Sequence, residues 1–251
     1  MLAELPTRAD REPVVGAGKG GDETTAIDEA AERAVLARFE HVDDLTIVSE
    51  ELGTAGKGGT YLVVDPIDGS LNAKRGIRFF SLSIAVADGP TMGDVAFGFV
   101  YDYGPEEEWT ARRGEGAFLD GVRLDPSVGE RRTGDGRLEL LGIESADPRW
   151  VRDSADALAE TAHRLRAIGA IAVSLCQVAA ARFDAMASLK RCRAVDAAAA
   201  QLIVREAGGH VAFIAYDDPL AAPLDLEPRS PVIAARTAGG LDAVRKVPVW
   251  P

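Results

Sequence analysis

An apolar run, Tyr61–Val64, that leads straight into Asp65-Pro66-Ile67-Asp68-Gly69-Ser70 constrains this chain more than any other feature of its 251 residues. The run reads as a strand, and Pro66, which has no backbone N–H, takes the chain out of the strand ladder just beyond it. A strand ending this way projects the Asp65 and Asp68 carboxylates from one end of a sheet and frees the Ile67 carbonyl to turn with them. Three converging oxygens suit a hard divalent cation. The following residues, SLNAKRG, can open a short helix whose first amides suit a phosphate. Taken alone, an Asx-type turn capping a helix explains the same residues without any ligand. Two further acidic positions favour the ligand: Ser49-Glu50-Glu51 ends the preceding apolar run, and Asp196 opens DAAAAQLIVREAGG as an expected helix N-cap.

Around these positions the pattern is mixed α/β. Residues 23 to 40 place Ile27, Ala31, Ala34, Val35 and Phe39 at helical spacing with acids in the first turn, which predicts a helix. Apolar runs at Leu45–Ser49, Tyr61–Val64, Phe80–Ala87, Val95–Tyr101, Glu107–Ala111 and Gly116–Leu119, broken by Gly, Pro and Asp, predict one antiparallel or mixed sheet. From about Pro148 the spacing predicts helices near 148–164, 173–187 and 197–207, then strands near Val211–Ile214 and Val232–Ala235. The polar stretch SVGERRTGDGR marks the change, so two subdomains are expected, residues 1–135 and 136–251, meeting at the site.

The charge balance narrows the function. With 40 acidic against 28 basic residues the net charge is −12, which argues against a nucleic-acid partner. No apolar run is long enough to span a membrane and the N-terminus lacks a signal-peptide order, so a cytoplasmic protein with no membrane partner is expected. Cys176 and Cys192 have no C-x-x-C spacing and read as reduced thiols. Gly16, Gly18 and Gly21 match G-x-G-x-x-G, but the flanking residues are wrong for a dinucleotide fold, and Lys19 is not followed by the Ser or Thr of a Walker loop. A surface loop or a lid over an active site remain the two readings there. His41, His163 and His210 are scattered, which disfavours zinc, and no G-x-S-x-G elbow is present.

Four segments in order, GDETTAID at 21–28, IVSEE at 47–51, DPIDGSLN at 65–72 and AVDAAAAQLIVREAGG at 194–209, resemble the inositol monophosphatase and fructose-1,6-bisphosphatase superfamily. The segment GAIAVSLCQVAAARFDA at 169–185 resembles that superfamily's sugar-side helix, and the nearest likeness is to the archaeal dual-activity type. The resemblance implies a layered α-β-α-β-α sandwich and a homodimer that hydrolyses a small sugar or polyol phosphate. It implies two or three Mg²⁺ ions, with Mn²⁺ an acceptable substitute. Glu50, Asp65 and the Ile67 carbonyl would hold the first ion, Asp65, Asp68 and Asp196 the second, and Asp22 with Glu50 a third. Asp28 and Ser70 would orient and deprotonate the attacking water, the Gly69 and Ser70 amides would take the phosphate, and Gly169 and Ala170 would touch the substrate.

Departures from the family pattern bear on the substrate. The carboxylate that inositol-specific members carry falls at Ser188 or Leu189 here, and SLKRCR instead offers Lys190, Arg191 and Arg193 to a second phosphate. Fructose-1,6-bisphosphate is therefore expected alongside inositol-1-phosphate. The alternatives are a 3′-phosphoadenosine-5′-phosphate phosphatase and a non-catalytic regulatory binding protein on the same fold.

Overall fold

The computed structural model describes residues 4–19, 21, 23–227 and 229–250. Helix α1 (Arg8–Arg11) and an antiparallel hairpin of β1 (Val14–Ala17) and β2 (Glu23–Thr25) precede α2 (Ala26–Leu36). The glycine-rich segment thus belongs to a hairpin, which excludes the strand-to-helix crossover of a dinucleotide fold. Then follow β3 (Leu45–Ser49), β4 (Gly53–Gly56), β5 (Thr60–Asp68), α3 (Ser70–Arg75), β6 (Ser81–Ala87), β7 (Val95–Asp102), β8 (Glu107–Arg112), β9 (Gly116–Leu119) and β10 (Val122–Arg123). Their order is β10-β9-β8-β7-β6-β5-β3-β4, and the β3–β5 pair is parallel while the other pairs are antiparallel.

The second half contributes β11 (Leu138–Glu144), α4 (Pro148–Asp153), α5 (Ala155–Thr161), β12 (Ala162–Arg166), α6 (Ile171–Ala179), β13 (Ala185–Ser188), α7 (Ala198–Glu206), β14 (His210–Phe213), β15 (Val232–Ala235) and α8 (Ala238–Val244). Its sheet has the order β12-β11-β13-β15-β14.

Period-two burial in this second sheet sets the layers. Met186, Val211, Phe213, Val232 and Ala234 face a core shared with α6, α7 and the first sheet. Ala185, Ala187, Ala212, Ile233 and Ala235 face the other way, against Leu158 of α5 and Val244 of α8. Beyond the first sheet, Ile27 and Ala31 of α2 and Ala73 of α3 pack with Ile67 and Phe80. Helix, sheet, helix pair, sheet and helix alternate, as the sandwich requires. The alanines of α7 fit this tight sandwich: a Cβ on Gly98 of β7 would stand 2.6 Å from the Ala199 carbonyl oxygen.

Several elements differ from the sequence reading. The helix expected over 23–40 starts at Ala26 and ends at Leu36, because Glu23–Thr25 pairs with β1 instead. The 148–164 helix divides at Ser154, and Ala162–Arg166 becomes an edge strand beside β11. The 173–187 helix stops at Ala179, and Ala185–Ser188 is a strand. Ala181 turns left-handed at φ 54°, and the Asp184 carboxylate accepts from the Arg131 and Leu140 amides, which draws the chain into the sheet. Asp196 is not the cap of α7; Ala197 holds that position.

Buried Arg236 ties the layers together. Its Nε donates to the Val128 carbonyl at 2.8 Å, Nη1 to Ala179 at 3.1 Å and Nη2 to Ala207 at 2.8 Å, so it closes the C-terminal ends of both α6 and α7. Replacing it with Met leaves three carbonyls without their donor, and we expect a stability loss of about 3 kcal/mol. Chemical denaturation checks this, and a loss below about 1 kcal/mol would remove Arg236 from that role.

Candidate active site

The two sheets deliver their acidic residues to one place. Glu50 follows β3, and Asp65 lies in β5, whose ladder with β6 runs from Asp65↔Ser83 to Asp68↔Ser81 and so bulges at Pro66–Ile67. The strand continues through the proline by means of this bulge rather than ending at Asp65, because the bulge removes the need for the missing N–H. Asp196 arrives from the turn before α7. One carboxylate oxygen each from Glu50, Asp65 and Asp196 lies within 4.8 Å of the others.

Asp65 and Asp196 are buried, Glu50 is half-buried, and the three charges repel one another. Burial pushes Glu50 up to about 7 against the opposing pull of Arg193, with Asp196 and Glu51 adding to the rise. Burial also raises Asp65 well above its usual value, helped by Glu50, Asp68 and Asp196. The guanidinium of Arg193 partly offsets the repulsion: Nη1 meets Glu50 at 2.5 Å and Nη2 meets Asp196 at 3.2 Å, while its own amide donates to Asp196 at 2.8 Å. Two buried oxygen donors and a half-buried one that crowd together, with one cation between two of them, fit a hard divalent ion.

Asp68 stands apart from that trio. Its Oδ1 accepts from the Ile171 amide at 3.0 Å and its Oδ2 from Ala172 at 2.8 Å, so it is bound to the start of α6. Burial and Asp196 raise it well above the usual carboxylate range. Asp22 lies outside the described residues. The side chain of Ile67 is buried beneath α2 and α3, and its amide donates to Asp65 at 3.0 Å.

Gly69 caps α3 at φ 87°, and a Cβ there would approach the Phe79 carbonyl oxygen to 2.9 Å and the Gly169 oxygen to 3.1 Å. Only glycine meets both conditions. Asp28, at the third position of α2, accepts from the Thr25 amide at 3.0 Å and its hydroxyl at 2.5 Å, and Lys74 lies 3.5 Å away. Among the described residues no hydrogen bond joins Asp28 to Ser70. Lys74 follows Ser70 by four residues, which puts the two on the same face of α3.

Beside the carboxylates lies a cavity of about 360 Å³ whose lining includes Asp68, Glu144, Gly169, Lys190, Arg191, Arg193, Asp196 and Arg229. The Lys190 ammonium sits 5.6 Å from the centre of the Trp150 ring. Three of these participants escaped the sequence reading. Glu144 had a readable signal, since LELLGIE is an apolar strand ending in a carboxylate, as at Asp65. Lys74 was readable from its spacing to Ser70, whereas Arg229 lies in an irregular segment with no local pattern.

The pH dependence of stability follows from these shifts. Glu50 and Glu144, each pushed up to about 7, bind protons in the folded chain that they would release on unfolding. Their contribution is complete below the unfolded value and is lost as pH rises through the folded one. In excess chelator, Tm should therefore fall between about pH 5 and about pH 8. At the upper end Asp65→Asn should melt higher than the wild type, because it relieves the repulsion. Thermal melts check both statements, and an Asp65→Asn protein less stable than wild type at high pH contradicts them.

The profile of the inositol monophosphatase family matches residues 3–247. The chain is 36% identical over 199 residues to the fructose-1,6-bisphosphatase/inositol-1-monophosphatase of Thermococcus kodakarensis, covering 78% of this chain and 72% of that protein. It is also 36% identical over 208 residues to Nus factor SuhB of Haemophilus influenzae, covering 80% and 76% respectively. The crystal structure of an inositol monophosphatase–fructose 1,6-bisphosphatase superposes with a TM-score of 0.80 at 26% identity, over 97% of this chain and 92% of that one.

Proposed function

The chain belongs to the inositol monophosphatase family, and from that membership we propose that it is a Mg²⁺-dependent phosphomonoesterase acting on fructose-1,6-bisphosphate, with inositol-1-phosphate as a second substrate. The observation that carries the substrate reading is the cavity wall: Lys190, Arg191 and Arg229 border the same space as Asp68 and Asp196, while neither Ser188 nor Leu189, the two positions that could carry a polyol-binding carboxylate, is acidic. A second phosphate offers these side chains charge-assisted contacts that a monoester lacks.

Glu50, Asp65 and Asp196 would hold the metal, with Asp68 and the Ile67 carbonyl at its margin. When bound, Mg²⁺ supplies Lewis acidity, lowering the pKa of water and neutralising phosphoryl charge. The chain's own groups do the rest. Gly69 and Ser70 present amides to the phosphate, and the Ser70 hydroxyl orients the attacking water. Asp28 receives its proton, with Lys74 keeping a positive charge beside that carboxylate. Arg193 braces Glu50 against Asp196. The similarity to Nus factor SuhB supports a second reading, regulatory binding on the same fold, which needs no turnover.

Phosphate release from fructose-1,6-bisphosphate, inositol-1-phosphate, 3′-phosphoadenosine-5′-phosphate and glycerol-2-phosphate, with and without Mg²⁺, decides among these readings. Replacing both Lys190 and Arg191 by Ala should weaken bisphosphate hydrolysis several-fold and leave glycerol-2-phosphate nearly unchanged. Equal losses on both substrates would sink the bisphosphate assignment.

Ser70→Ala gives a separate expectation. Losing the hydroxyl but keeping the amide should lower kcat by about 10²–10⁴-fold, the usual contribution of a positioned proton-transfer group, with little change in KM. Steady-state kinetics checks it, and a rise in KM alone would make Ser70 a binding group.

A further inference from the structure

We propose that Glu144 is a positioning residue for the sugar or polyol side of the cavity, acting through the turn at Ile168–Ala170. The proposal rests on the phosphatase reading for its substrate and on the structure for its geometry. Glu144 ends β11 directly opposite Ser188 in the parallel ladder with β13, so a carboxylate stands one strand away from one of the two positions that could carry the polyol-side carboxylate and do not.

Direct contact with substrate is not its role. Glu144 is 1% exposed. Its Oε1 accepts from the Ile168 amide at 3.2 Å and from the Ser174 hydroxyl, and its Oε2 accepts from the Gly169 amide at 2.9 Å. Those donors occupy both oxygens. What it controls is the turn they come from. On the far side of that turn, the Asn72 amide group donates to the Ile168 carbonyl at 2.8 Å, and Gly169 adopts φ 83°. A Cβ on Gly69 would stand 3.1 Å from the Gly169 oxygen and 3.1 Å from the Ala170 Cβ. The next two amides, Ile171 and Ala172, hold Asp68.

The turn is therefore held by Glu144 on one side and by Gly69, Asn72 and Asp68 on the other. Its Gly169 lines the cavity, and the non-reacting part of a substrate would lie against it. A neutral Asn or Ser would suffice to cap a turn. A buried carboxylate is a costly way to do so, since burial pushes it up to about 7 and its partners are hydrogen-bond donors without full charge. Its particular property is that both oxygens accept, which sets the Ile168 and Gly169 amides at the same time.

Glu144→Gln tests this, because it keeps the shape and turns one acceptor into a donor facing an N–H. Kinetics at saturating Mg²⁺ should show KM for fructose-1,6-bisphosphate or inositol-1-phosphate rising about tenfold. The kcat should stay within about threefold, because Ile171 and Ala172 still hold Asp68, and KM for p-nitrophenyl phosphate should change by less than about twofold. Ser174→Ala, a milder change, should move KM the same way by less, and Glu144→Asp should recover part of the loss. Hydrogen exchange at 168–170 should quicken in Glu144→Gln independently of any turnover. Equal KM changes for large and small esters, or unchanged exchange in a folded variant, overturns the proposal. A wild type that cleaves no ester defeats the phosphatase reading instead, and exchange then decides alone whether Glu144 holds the turn.

Discussion

Mutual repulsion among Glu50, Asp65 and Asp196 is the constraint around which this molecule is arranged. Like charges within 4.8 Å of one another in a buried setting disfavour their own ionised forms, and nothing in local secondary structure compensates them. Compensation comes from elsewhere in the chain. Arg193 supplies a cation between Glu50 and Asp196, and the start of α6 supplies two amides to Asp68. The sandwich exists in a form that brings these groups together, since α6 and α7 lie between the sheets and point their opening turns at the end of β5.

That arrangement makes the joint between the halves a working part. Gly69 and Gly169 come from different sheets' connections, and both need left-handed backbone at the point where they touch. A side chain on Gly69 would separate the opening of α3 from the Gly169–Ala170 turn. The same contact explains why Glu144, far from Gly69 in sequence, bears on the site: it fixes the other end of the Ile168–Ala170 turn. Stability and chemistry are opposed here, because each carboxylate that serves the site is held at a cost to the fold.

Sequence legibility varied with how local the cause was. The strands at Leu45–Ser49, Gly116–Leu119 and Val232–Ala235 were readable because apolar runs and turn residues define them without outside help. The region 173–187 was misread because its apolar, alanine-rich composition suits a helix throughout, and the Asp184 bonds that pull Ala185–Ser188 into the sheet join residues distant in sequence. Asp196 followed the pattern of a helix cap, yet its oxygens go to Arg193. The Asp28–Ser70 pairing came from the resemblance alone, and the structure brings Thr25 and Lys74 to Asp28.

By itself, then, the sequence determined the chemistry on offer: oxygen donors at Glu50, Asp65, Asp68 and Asp196, a glycine able to turn left-handed before a helix, and basic residues at 190–193. Residue type sets which bonds a group can form, and short spacing sets which neighbours share a face. Only the tertiary structure decided which oxygens meet, that Asp68 is tied to α6, that Arg193 bridges two carboxylates and that Glu144 stands beside Ser188. Those outcomes depend on how the two sheets stack across the helix pair. Strand register and layer packing are properties of the whole core, so no window of the sequence contains them.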